Sequence, residues 1–192
     1  MRKLAFLLSF LCGSLALPQT IPIRLHISDQ TGVPSTTLEQ AQQQLTYLLQ
    51  PCGYEVVWID YKRERSSRTV KLQPNDLVFL VQANSITQKY VEGGLSLLAQ
   101  PHTSRYAKIY YEQIQRMTQS VHGSEGILMG YVMAHEIGHL LGLVHTLNGV
   151  MAGRWGVREL VWINTHWPRF TPGECRQTQA EMQARWLLTR SY

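Results

Sequence analysis

The run from Ile127 to His145 constrains this chain more than any other stretch. Ile127 to Leu141 is apolar on nearly every side, so a helix there has no face suited to water and must be central and buried. Yet the same run contains His135-Glu136-Ile137-Gly138-His139. His135 and His139 are four apart, which on a helix sets them one turn apart on one face. Two imidazoles so placed can grip one metal ion, and Glu136 can act on a water there without ligating the metal. Gly142 permits the left-handed turn that ends a helix abruptly. The chain can then swing back and present His145 to the same ion from another direction. Three imidazoles with a fourth position open describe a reactive site, whereas a structural zinc site is closed by four protein ligands, usually with Cys.

Chance is a poor account of this spacing. Given the first five residues, a composition of 14 Gly and 7 His in 192 residues puts Gly and His at the two further offsets roughly once in 400. The bland alternative is a set of core histidines on an apolar helix. It requires three imidazoles and a carboxylate to be buried without partners, which is costly.

The N-terminus bears on how the rest of the composition is read. Arg2 and Lys3 precede an apolar stretch, Leu4 to Leu11, and Ser14-Leu15-Ala16 offers small residues at the positions a signal peptidase reads. Residues 1–16 are expected to be a signal peptide and 17–192 a single domain, exported to the periplasm or the extracellular space. A lipid anchor on Cys12 is disfavoured because Leu11 stands where a small residue is wanted. Removing Arg2 and Lys3 lowers the net charge from +5 to +3, too little to argue for nucleic acid. Lys62, Arg63, Arg65, Arg68 and Lys71 read as a solvated loop. The N-terminal apolar stretch is short, and no apolar run in 17–192 reaches the ~20 residues needed to span a bilayer. Cys52 and Cys175 remain, and in an exported chain they are candidates for one disulfide closing a long loop. Nothing in the sequence sets an oligomeric state, and a monomer is the default.

Hydrophobic patterning gives the order of elements. Ile21 to Ser28 alternates as a half-buried strand. Thr36-Thr37-Leu38-Glu39 has the pattern of a capping box and opens a helix closed by Pro51 and Gly53. Tyr54 to Tyr61 reads as a second strand, Asp76 to Gln82 as a central one, Leu95 to Ala99 as a weaker one and Tyr106 to Ile114 as a fifth. Ser124-Glu125 caps the buried helix, and Thr171-Pro172-Gly173-Glu174 opens a C-terminal helix with Cys175, Met182 and Trp186 along one stripe. The fold class expected is α+β, a mixed twisted sheet of four or five strands with one site-bearing helix and a C-terminal helix. Trp155, Trp162 and Trp167 read as core packing rather than a specificity pocket, and His26, His102, His122 and His166 as ordinary strand or surface histidines.

His135, Glu136, His139, Gly142 and His145, followed by Met151, resemble the signature of the metzincin clan of zinc metallopeptidases. In sequence the resemblance is specific from about Ile127 to Met151, and the order of elements extends it over the chain. It implies a zincin-like fold, one catalytic Zn²⁺ held by His135, His139 and His145, Glu136 as general base, and Met151 in a turn beneath the metal. It also implies peptide or protein substrates laid along the antiparallel edge strand. That role falls between Gly94 and Ala99, with Gly94, Leu95, Ser96 and Leu97 as candidate substrate-binding residues. The chain departs from the best-known branches. Met151 follows His145 by only six residues, and neither Thr146 nor Ala152 matches their landmarks. It resembles a small, compact bacterial-type member of unassigned subfamily. Pro51-Cys52-Gly53 resembles an inhibitory propeptide cysteine, but its place at a helix end favours a structural or disulfide-bonded role. The function expected is secreted zinc-dependent peptide hydrolysis. A non-catalytic zinc-containing binding module and hydrolysis of a non-protein amide are the alternatives.

Overall fold

The structure, a computed structural model, describes residues 20–59, 72–73, 75–83, 94–96 and 104–189. The expected signal peptide, the basic cluster, Leu97 to Ala99 and His102 lie outside the described residues. The elements run β1 (Ile21–Asp29), α1 (Ser35–Leu49), a 3-10 turn (Gln50–Cys52), β2 (Tyr54–Ile59), β3 (Asp76–Gln82), β4 (Gly94–Ser96), β5 (Tyr106–Tyr110), α2 (Tyr111–Gln119), α3 (Glu125–Leu140), α4 (Val157–His166) and α5 (Pro172–Thr189).

One mixed sheet holds the five strands in the order β2-β1-β3-β5-β4. β1 pairs in parallel with β2 and β3, β3 pairs in parallel with β5, and among the described strands β4 alone is antiparallel, against β5. β3 sits in the middle, which explains its continuous apolar run: Leu77, Val78, Phe79 and Val81 are all buried. On β1 the alternation holds, with Ile23 and Leu25 fully buried. Its polar positions are also put to use. The register sets Arg24 opposite Asp76, and the Arg24 Nε stands 2.6 Å from Asp76 Oδ1. His26 is fully buried, 3.5 Å from the other carboxylate oxygen.

α3 packs on α1 at very short range. A Cβ at Gly130 would stand 2.6 Å from Gln44 Cβ and 2.9 Å from the Ala41 carbonyl oxygen, and one at Gly126 would stand 2.6 Å from Gln40 Cβ. Two glycines four apart on α3 therefore let the helices approach closer than any side chain allows. α3 begins as expected, with the Ser124 hydroxyl accepting from the Ile127 N–H at 3.3 Å. α5 begins with both halves of its capping box formed. Glu174 accepts from the Thr171 N–H at 2.6 Å, and the Thr171 hydroxyl accepts from the Glu174 N–H at 3.2 Å. Cys52 and Cys175 form a disulfide, with 4.8 Å between their Cα atoms, that ties the start of α5 to the end of α1.

Three expectations are corrected. α1 starts at Ser35, two residues early, with Pro34 as its N-cap and no side-chain cap. The Pro34 carbonyl already accepts from the Thr37 and Leu38 N–H groups, so the Thr36–Glu39 pattern lies within the first turn. The strand expected from Tyr106 to Ile114 stops at Tyr110 and becomes α2. Tyr111, Ile114 and Met117 recur at helical spacing and are buried, and this burial overrides the β propensity of the tyrosines. Finally, only Trp155 of the three tryptophans is core; Trp162 and Trp167 are 37% and 40% exposed. They flank or sit on α4, a helix not expected from the sequence.

Candidate metal centre

His135 and His139 project from α3 one turn apart, with ring centroids 4.6 Å from each other. The helix stops at Leu140, and Gly142 adopts φ +84°, in the left-handed region that a side chain disfavours. The Leu143 N–H then reaches back to the Gly138 carbonyl at 2.8 Å. This tight turn returns the chain, and His145 comes to within 3.0 Å of His139, Nε2 to Nε2. His135 Nε2 is also 3.0 Å from His139 Nε2, and the three ligand nitrogens all lie within 4.8 Å of one another.

The other ring nitrogens set the tautomer and orientation. His135 Nδ1 is 2.8 Å from the Val150 carbonyl oxygen and His139 Nδ1 is 3.0 Å from that of Leu143. A carbonyl only accepts, so both Nδ1 atoms donate, and in the neutral rings that a metal requires both Nε2 atoms keep a lone pair. Burial lowers the His135 pKa to about 4, which favours the same neutral ring. Nε2 lone pairs facing one another at 3.0 Å repel unless a cation lies among them, so the donor set fits a Zn²⁺ ion with three imidazole ligands. His145 is exposed, which leaves the cluster open to solvent on that side.

The segment after His145 forms the floor. The Thr146 N–H donates to the Met151 carbonyl at 2.8 Å and the Gly153 N–H donates to that of Thr146 at 3.2 Å, closing a small loop. Met151 is fully buried, with its sulfur pressed to Gly138, where a Cβ would stand 2.3 Å away. The loop thus places Met151 under the α3 turn between the two helical histidines, and the preceding carbonyl, of Val150, orients His135. Gly153 packs closely against His145, where a Cβ would stand 3.1 Å from Cγ. Glu136 is 3% exposed.

Beside this floor is a cavity of about 510 Å³, lined in part by Ala152, Trp155, Val161, Trp162 and Ile163. Trp155 joins it to the histidine cluster, standing edge-on to His135 with ring centroids 5.4 Å apart. The cavity depends on α4, which sequence reasoning missed. The available signal was Gly156 with Glu159 three residues on: Glu159 accepts from the Gly156 N–H at 3.0 Å, and Leu160 and Ile163 give the buried face. Of the candidate substrate-binding residues, Gly94, Leu95 and Ser96 form β4, the last of the described strands in the sheet, which lies against α3. Leu97 is outside the described residues. Arg185, buried on α5, was also missed, although it continues the stripe of Cys175, Thr178 and Met182 at helical spacing.

A reprolysin-type family model, described as metallo-peptidase family M12, matches residues 19–181. No curated protein matches the chain in sequence. Among solved structures, the archaemetzincin of Methanopyrus kandleri superposes with a TM-score of 0.54 at 14% identity, over 85% of this chain and 96% of its own. Metalloproteinase-II of Bacteroides fragilis gives a TM-score of 0.44 at 13% identity, over 85% of this chain and 53% of its own. The first likeness shows the fold, an α+β zincin-like domain.

Proposed function

The chain belongs to metallo-peptidase family M12 and is a zinc metallopeptidase, and from that premise we propose that it is an exported endopeptidase in which His135, His139 and His145 hold one Zn²⁺ and Glu136 is the general base. The observation that carries the ligand set is the convergence of three Nε2 atoms, the two on α3 with their Nδ1 atoms tied to backbone carbonyls. Zinc bound by three imidazoles acts as a Lewis acid, drawing the pKa of water down to about 7 and polarising a carbonyl.

The chain's own groups do the rest. Glu136 takes the proton of the attacking water and passes it to the leaving amine, and its burial keeps that transfer away from bulk solvent. β4 offers its backbone to an extended peptide, because it is the last strand and lies beside the helix that carries the ligands. The cavity walled by Trp155, Trp162 and Ile163 receives an apolar side chain of that peptide. Export is supported by the charged and apolar N-terminal pattern and by the Cys52–Cys175 disulfide, which suits an oxidising compartment.

The test is a peptide library incubated with the purified 17–192 chain, with and without chelator. Cleavage that chelation stops and zinc restores is expected. A zinc-loaded chain that cleaves no peptide would overturn the proposal in favour of a binding module or a non-protein substrate.

A further inference from the structure

α3 ends one residue beyond the ligand His139. The last carbonyls of a helix lack donors within it. Here the backbone N–H groups of Leu141, Gly142 and Leu143 serve the carbonyls of Ile137, Gly138 and His139 at 2.8–3.1 Å. The Leu140 carbonyl is met from outside, by Nη2 of Arg185 on α5. Arg185 is 3% exposed. Its Nη1 donates to the Ser104 carbonyl at 2.9 Å and its Nε to Glu181 Oε1 at 3.1 Å. One guanidinium thus joins the end of the metal helix to α5 and to the chain leading into β5. A second side chain of α5, Gln177, donates to the Gly142 carbonyl at 2.8 Å.

The turn held in this way serves the metal site directly. Its Leu143 carbonyl is the partner that orients His139, and His145 follows two residues later. We propose that Arg185 is a positioning residue of the metal centre, fixing the turn after α3 so that His139 and His145 keep their nitrogens converged. The inference rests on the zinc reading above. A buried guanidinium is costly to desolvate, and an apolar side chain would pack this stripe at less cost, as Met182 does. The planar fork is suited to what Met182 lacks: two carbonyl oxygens on different elements within reach of one rigid group.

Zinc affinity, read by competition with a chromophoric chelator, separates this role from general support of the fold. Arg185→Met, Arg185→Lys and Met182→Ala are each compared with the wild type at a temperature where circular dichroism shows them folded. Met182 is fully buried on the same helix and its thioether has no donor for the turn's carbonyls, so its truncation supplies destabilisation without removing a hydrogen bond from the turn. The expected result is zinc binding weakened about tenfold or more in Arg185→Met, by less in Arg185→Lys, and within about twofold of wild type in Met182→Ala. The inference is overturned by Arg185→Met binding zinc like the wild type, or by Met182→Ala losing as much affinity as Arg185→Met. Should Arg185→Met not fold, Arg185→Lys carries the comparison, and wild-type affinity in that variant overturns the inference. A wild-type chain that takes up no zinc overturns the underlying reading instead.

Discussion

Gly138→Ala probes the packing beneath the histidines. The new Cβ would stand 2.3 Å from Met151 Sδ, 2.9 Å from its Cε and 3.2 Å from Leu143 Cδ1. The first distance is roughly 1 Å inside ordinary contact. Met151 is fully buried, so its thioether has no solvent to move into, and relief must come from shifting the 146–153 loop. Overpacking of this kind costs about 1–3 kcal/mol. Alanine in place of glycine inside a helix returns about 1 kcal/mol. The net expectation is a loss of about 1 kcal/mol, or roughly 2–4 °C in Tm for a domain of this size. Zinc affinity should suffer more, about tenfold, because the moving loop carries the Val150 carbonyl that orients His135. The decisive comparison repeats the change in a Met151→Ala background, where the clash with the thioether is gone, Leu143 Cδ1 need give only a few tenths of an ångström, and Gly138→Ala should stabilise by up to about 1 kcal/mol. Thermal melts of the metal-free proteins measure this double-mutant cycle, and a coupling of about 2 kcal/mol is expected. Equal effects of Gly138→Ala in both backgrounds would refute the reasoning.

Other perturbations follow from the same geometry. His145→Ala removes the exposed member of the proposed ligand set, so metal analysis should show lost zinc with the metal-free Tm nearly unchanged; full zinc occupancy would remove His145 from that set. Replacing Cys52 and Cys175 by alanine opens a loop of 123 residues. On the chain-entropy account this costs about 5 kcal/mol, visible as a lower urea midpoint. An unchanged midpoint would contradict that account. Ser124→Ala removes the N-cap of α3 and should cost about 1 kcal/mol by thermal melting; no loss would mean that tertiary packing alone sets the start of that helix.

Much of the site was legible because its constraints are local. The His135–His139 spacing, the Gly142 turn and the return of His145 follow from helix geometry and from glycine's access to positive φ. β1 and β3 were legible for a similar reason, since their side-chain patterns match one half-buried and one central strand. What escaped was decided by contacts distant in sequence. The strand-to-helix change at Tyr111 depends on burial of Ile114 and Met117, which the aromatic pattern of Tyr106 to Tyr111 conceals. α4 escaped because Val157, Val161 and Trp162 are exposed, so its apolar residues do not form the one-sided stripe that reveals a surface helix. Arg185 was overlooked because a lone arginine reads as solvated unless the carbonyls of Leu140 and Ser104 are known to face it.

In the proposed hydrolysis Glu136 moves the proton and three histidines hold the zinc. Glu136→Gln retains the shape of the side chain and removes the base. The direct measurement is zinc content and peptide cleavage on the same preparation, beside wild type. About one zinc is expected in both proteins, and cleavage only in the wild type. A Glu136→Gln protein that cleaves peptide at the wild-type rate would contradict that role for Glu136.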